Sequence, residues 1–190
     1  YLKSTLLMNV VSAANKNEIA VIHSNLKKKW PPIYADIWKI GCNLSLRISD
    51  LLALEFNQID YDQREIQLTE QKTGKAKHLR LNDSALSVIK KRQNEFPEDR
   101  YLFQVRSNRA TNQPISRISV SRVFKQVGKM VGLDINTHSM RKSRGKAMFD
   151  DGVPVAVIAK VLNHSSEAAT LRYLGITEEQ VLQTYDDYEL

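Results

Sequence analysis

Six side chains in this 190-residue sequence could act together on a phosphate ester: Arg47, Lys72, His138, Arg141, His164 and Tyr173. A protein hydroxyl that attacks a phosphodiester needs cations around the non-bridging oxygens as charge builds. It also needs an acid to protonate the departing oxygen. Arginines suit the first task because a planar fork matches two phosphate oxygens. The stretch Leu162-Asn163-His164-Ser165-Ser166, followed by Thr170-Leu171-Arg172-Tyr173, puts an imidazole and a phenol at a short fixed separation. The alternative chemistry, on a divalent metal, calls for clustered carboxylates or His/Cys ligand spacings. Asp60 and Asp62 are the only close acidic pair near the middle of the chain, and they sit at a turn. No metal site and no cofactor is expected.

Each residue alone has a plainer reading. Arg47 is either neutralised by Asp50 or turned toward an external anion. His138 and Arg141, three apart on one predicted helix, face the same way, and a histidine so placed is more often structural than functional. Lys72, in Gln71-Lys72-Thr73-Gly74-Lys75, reads as an exposed turn lysine. Tyr173 competes with Tyr1, Tyr34, Tyr61, Tyr101, Tyr185 and Tyr188, and a tyrosine beside leucines on a helix is usually half-buried packing. The order and spacing of the six carry more than any one of them.

The elements that must position these groups read as mainly helical. Residues 1–14 form a linker or a first strand. Helices are predicted from Asn15 or Asn17 to Lys29, where Trp30-Pro31-Pro32 ends the first one, then over Ile33 to Asn43 and Ile48 to Phe56. From Ile59 to Leu81 apolar and polar residues alternate, with turns at Asp62-Gln63 and Thr73-Gly74, which predicts a small antiparallel sheet. The rest is helical: Asp83 to Glu95, Ser116 to Val131, Thr137 to Asp150, Val155 to Leu162, Glu167 to Tyr173 and Glu178 to Tyr185. Asp151-Gly152-Val153-Pro154 is a stop and restart. The fold class is α+β, with one small sheet in a helical domain.

The formal charge is +7, and all five acids of residues 175–190 lie in a stretch with no Lys or Arg, so the body without it carries +12. A basic body with an acidic tail suits a polyanion partner and a tail docked elsewhere. The single cysteine, Cys42, excludes an intramolecular disulfide and reads as a small buried filler. No apolar run approaches membrane-spanning length.

With these boxes in view, the sequence resembles the tyrosine recombinase (phage integrase) family. Leu46-Arg47-Ile48-Ser49-Asp50-Leu51-Leu52-Ala53-Leu54 looks like its first arginine box, and Lys72-Thr73-Gly74-Lys75 like its lysine hairpin. Thr137-His138-Ser139-Met140-Arg141 and the Leu162 to Tyr173 stretch look like its second arginine box and its tyrosine box. The sequence departs from the pattern at Asn163, where glycine usually precedes the histidine, and at Ser45, where glycine often precedes the Leu-Arg pair. Asparagine tolerates the left-handed backbone that such a glycine often adopts.

The resemblance implies a tyrosine recombinase catalytic-domain fold over residues 1–175, with a tail helix over 176–190 that docks in cis or in trans. A core-binding domain is expected to precede this chain, which begins with Tyr1. The implied activity is site-specific cleavage and rejoining of DNA through a 3′-phosphotyrosyl bond on Tyr173, as in integration or excision of a mobile element. Arg47 and Arg141 would clamp the phosphate and His164 would hydrogen-bond it. His138 would take the tyrosine proton, and Lys72, on a mobile hairpin, would protonate the 5′-oxygen. Expected partners are double-stranded DNA, three further copies in a homotetramer when full-length (a monomer as this fragment) and an accessory DNA-bending protein, in a bacterial cytoplasm with no membrane. Lys75, Lys77, Arg117, Arg122, Lys125, Lys142 and Arg144, with Lys27 to Lys29, are expected on the DNA side, the Arg117 to Lys129 helix facing a groove. The nearest rival, a type IB topoisomerase, usually carries lysine where His138 stands. A catalytically silent DNA-binding relative is the other.

Overall fold

The computed structural model describes residues 12–107 and 112–187. Its elements run α1 (Lys16–Lys29), α2 (Pro32–Leu44), α3 (Ile48–Leu52), a 3-10 turn (Phe56–Gln58), β1 (Ile59–Asp60), β2 (Glu65–Thr69), β3 (Ala76–Arg80), α4 (Asp83–Glu95), α5 (Arg117–Val131), α6 (Ser139–Asp150), α7 (Val155–Leu162), α8 (Glu167–Leu174) and α9 (Glu178–Asp187). The expected α+β architecture is present, with a single antiparallel sheet in the order β1-β2-β3.

Local chemistry sets the boundaries. Asn15 and Glu18 close a reciprocal capping box at the start of α1, and Pro32 opens α2 at a position where a missing N–H costs nothing. Asn82, Ser116 and Ser166 cap α4, α5 and α8 with side-chain oxygens. Gly132 and Gly175 end α5 and α8 in the left-handed region, at φ 74° and 79°. Thr177 and Gln180 cap α9 reciprocally, at 2.9 and 3.2 Å.

Two boundaries differ from expectation. The helix predicted to reach Phe56 stops at Leu52, because the following backbone pairs at long range instead: Leu102 N–H donates to Leu54 O and Phe56 N–H to Arg100 O. The helix predicted from Thr137 begins at Ser139, since Asn136 Oδ1 accepts the His138 N–H and holds His138 just outside the first turn. Residues 1–11 of the expected linker or first strand lie outside the described residues. Ala14 is tied down by Ser143 Oγ at 2.8 Å.

The main core is built on α2, whose Ile37, Trp38 and Ile40 are fully buried against Ile22 and Leu26 of α1 and Val120, Phe124 and Val127 of α5. Trp38 meets Phe124 edge to face at 5.4 Å. A second, smaller cluster of Ile158, Leu162 and Leu174, with Met148, Phe149, Val153, Tyr173 and Ile176 packed around it, joins α6, α7 and α8. Gly145 permits this approach: a Cβ there would lie 3.2 Å from Leu162 and 3.3 Å from Leu174. Helix α6 bridges the two clusters, with Met140 buried in the first and Met148 and Phe149 against the second.

Candidate active site

The site lies where the N-terminus of α3, the β2–β3 turn, the start of α6 and the α7–α8 connection meet. Arg141, 4% exposed, is its centre. Its guanidinium donates to Ser45 O and, at 2.6 Å, to Leu162 O. It thereby ties the turn before the first arginine to the turn before His164. Both turns are left-handed at the two positions where glycine was expected: Ser45 at φ 53°, ψ 29° and Asn163 at φ 51°, ψ 45°.

Tyr173, half-buried on α8, lies in the field of the Arg141 guanidinium, and its hydroxyl stands 3.5 Å from the His138 carbonyl oxygen. Burial raises the phenol above its ordinary range, and Arg141 and Arg47 pull it part of the way back. The His164 ring lies edge to face with Tyr173 at 5.0 Å. Thr170, fully buried, is 2.9 Å from His164 Nδ1, and its hydroxyl donates to Ser166 O at 3.3 Å. With that proton committed, Nδ1 carries the ring hydrogen and Nε2 is the nitrogen left for other work.

His164 is held below the ordinary imidazole range by desolvation and then by Arg141, Arg47 and Lys77. His138 is lowered in the same way, by desolvation and then by Arg117, Arg141, Lys72 and Arg47. Both imidazoles are therefore neutral at pH 7. The shared electrostatic partners bring all six residues into one field: Lys72 is exposed on the β2–β3 turn yet acts on His138. His138 and Arg141 do not present one common face, however. His138 caps α6 in an exposed position while Arg141 is buried.

Arg47 resolves the choice left open by its sequence context. It does not pair with Asp50; its Nη1 donates to Glu70 Oε2 at 2.6 Å. Asp50, buried, instead accepts the Gln71 N–H at 2.9 Å and pins the entry to the lysine turn. Glu70 closes the turn itself: its N–H donates to Lys75 O, and its carbonyl accepts from Gly74 N–H. Lys77, on β3, points inward with a side chain 8% exposed. Its ammonium donates to Val161 O at 2.9 Å and sits 3.8 Å from Glu70 Oε1. Burial, then Arg141, brings its pKa down to about 8, against the opposing pull of Glu70.

Glu70, which the sequence reading left out, and Lys77, which it placed on the DNA side, thus lie inside this cluster, and Asp50, weighed there as the partner of Arg47, bonds the Gln71 N–H instead. Of the other residues assigned to a DNA side, Lys75, Arg117, Arg122 and Lys125 are exposed, and Lys142 and Arg144 are half-buried. Arg144 lies near Cys42, whose thiol is pushed far up by burial. Arg117, Arg122 and Lys125 line a shallow depression on α5 with Ile118 and Ser121.

The fold thus gathers a tyrosine, two arginines and two histidines into one electrostatic neighbourhood. Residues 15–180 match the model of the phage integrase family, and the chain belongs to that family. It is 33% identical over 146 residues to a probable integrase/recombinase, YoeC, of Bacillus subtilis (strain 168), covering 76% of this chain and 78% of that protein. It is 26% identical to the tyrosine recombinase XerA of Pyrococcus furiosus, covering 74% of this chain and 49% of the relative. The chain therefore spans about half the length of some of the relatives it matches. Among solved structures, XerA recombinase superimposes with a TM-score of 0.74 at 16% identity, over 96% of this chain and 66% of that one. XerH bound to a palindromic difH substrate, in a post-cleavage complex, gives 0.73 at 14% identity, over 93% and 53%. These two likenesses concern the fold.

Proposed function

We propose that this chain is the catalytic domain of a site-specific DNA recombinase that breaks and rejoins strands through a 3′-phosphotyrosyl bond on Tyr173, in the integration or excision of a mobile element. The observation that carries the reading is the arrangement around Arg141. One buried guanidinium acts on both the nucleophile candidate and Arg47, with the His164 ring edge to face with the same tyrosine.

The Tyr173 oxygen attacks phosphorus in line, and the bond to the 5′-oxygen breaks as the O–P bond forms. The phenol is protonated at pH 7 because burial raises it, so its proton must leave as it attacks. Neutral His138 is the acceptor. Arg47 and Arg141 stabilise the charge that builds on the non-bridging oxygens, and His164, whose Nε2 is bare in the neutral ring, takes up a proton as the phosphate binds and donates a further hydrogen bond through Nε2–H. Lys72 protonates the departing 5′-oxygen. Because one ester is exchanged for another, the reverse attack by a 5′-hydroxyl reseals the strand, and neither ATP nor a metal is required. Arg117, Arg122 and Lys125 of α5 contact backbone phosphates beside the site. The acidic α9, with Leu182 and Tyr185 exposed at 58% and 77%, packs on a neighbouring copy in a DNA-bound homotetramer.

The test incubates full-length protein, in EDTA and without ATP, with two distinguishable plasmids that carry the DNA flanking its own gene. Recombinant joints that vanish in Tyr173→Phe support the reading. Plasmid relaxation without exchange supports a type IB topoisomerase instead. Tight binding with neither product supports a silent DNA-binding relative.

A further inference from the structure

Glu70 has no part in the mechanism above, yet its side chain is wholly buried and gathers the site's fixed groups around one oxygen. Oε2 accepts from Arg47 Nη1 at 2.6 Å, from Thr73 Oγ1 at 2.9 Å and from Asn163 Nδ2 at 2.5 Å. Oε1 has no hydrogen-bond partner and faces the Lys77 ammonium at 3.8 Å. Burial alone would raise this carboxyl, and the hydrogen bonds from Thr73, Asn163 and Arg47 more than offset that, so it is ionised at neutral pH.

The geometry has two consequences. Glu70 is the first residue of the turn that carries Lys72 and is bonded to Thr73 within that turn, so whatever holds the carboxylate holds the lysine. Asn163 is the residue immediately before His164, so the same carboxylate fastens the lysine turn to the histidine turn across 93 residues of sequence. Asparagine at this left-handed position does what glycine there could not: it supplies the amide that reaches Glu70. The pairing leaves Arg47 with further N–H groups for a phosphate, since a guanidinium has five.

We propose that Glu70, clamped by Asn163 and Thr73, is a positioning residue that holds the Lys72 turn in register with the scissile phosphate, so that the acid reaches the leaving 5′-oxygen. This rests on the recombinase reading above. Glu70 acts through Lys72 and touches no reacting atom.

The test is single-turnover cleavage of an oligonucleotide site by the full-length protein, with the ordinary phosphodiester and with a 5′-bridging phosphorothiolate. A thiolate leaves without needing a proton, so the second substrate bypasses the acid. Asn163→Gly and Thr73→Val each remove one bond to the carboxylate without orphaning a buried charge, and Glu70→Gln keeps its shape. Displacing an acid by about an ångström costs on the order of 100-fold, and that loss is expected for Glu70→Gln and for the Asn163→Gly/Thr73→Val double variant on the phosphodiester. On the phosphorothiolate both should return to within about 10-fold of wild type, as Lys72→Ala should, while Tyr173→Phe stays dead. Wild-type rates on the phosphodiester in these variants would overturn the proposal. So would an equal loss on both substrates, which would place Glu70's effect on Arg47 or on folding. If wild type cleaves neither substrate, the recombinase reading itself fails.

Discussion

Ser45 and Asn163 put the same backbone demand to two different side chains, and replacing each with glycine separates strain from function. Ser45 sits at φ 53° and its hydroxyl is buried with no hydrogen-bond partner. A left-handed L-residue costs about 1 kcal/mol, and a buried hydroxyl without a partner costs about 1 kcal/mol more. Glycine's extra freedom in the unfolded chain opposes this by roughly 0.5–1 kcal/mol. Ser45→Gly should therefore stabilise the fold by about 1 kcal/mol, a rise of roughly 2–4 °C in Tm for a chain of this size. Arg141 keeps its bond, because it takes the backbone carbonyl of residue 45. Asn163→Gly relieves less strain and loses a hydrogen bond to an ionised acceptor, about 1.5–3 kcal/mol, so it should destabilise by about 2 kcal/mol. Thermal denaturation of both variants beside wild type reads the contrast. A Ser45→Gly protein that melts below wild type would refute the account of that turn, and an Asn163→Gly protein that melts above it would refute the Glu70 contact.

Four further outcomes follow from the structure. His138 and His164 are both lowered, so the unfolded chain binds more protons below about pH 6.5 and stability falls as pH drops through that range; Tm measured from pH 7.5 to 5 should decline. A bound phosphate raises the His164 imidazole that bonds it, so DNA binding takes up a proton and tightens as pH falls from 7.5 to 6, readable by calorimetry in buffers of different ionisation enthalpy. Arg92, 4% exposed, donates to Asp36 at 3.0 Å and to Leu102 O at 2.6 Å. Arg92→Leu leaves Asp36 buried with only Lys91 at 3.4 Å and should cost about 3–5 kcal/mol in urea unfolding. Arg117→Ala, Arg122→Ala and Lys125→Ala should each reduce the slope of log affinity against log salt by about 1 in a binding titration, with stability unchanged.

The sequence showed most clearly what depends on local spacing. The hairpin strands, the start of α1 next to Asn15 and the stop at Asp151 to Pro154 are written in neighbouring residues, and the structure has them. The left-handed backbone at Asn163 was legible because asparagine occupies a place that glycine usually fills. Long-range pairing was not. The strand-like bonding of Leu54 to Leu102 cut short a helix whose leucines have helical spacing, since a donor 48 residues away leaves no mark on the local pattern. Glu70 stands out in no local pattern, and only the fold brings Arg47 and Asn163 to it. Lys77 looked like one more basic residue of an exposed hairpin. Its place on the inward side of β3 depends on the register Leu68↔Lys77, which one residue of slip would reverse.

The account turns on one covalent bond. The most direct measurement is mass mapping of the full-length protein after incubation with its flanking DNA in EDTA, an SDS stop, nuclease digestion and proteolysis. The account predicts a single nucleotide-modified peptide, the one containing Tyr173, joined through a 3′-phosphate. Modification of another tyrosine, or a 5′-phosphate linkage, would contradict it.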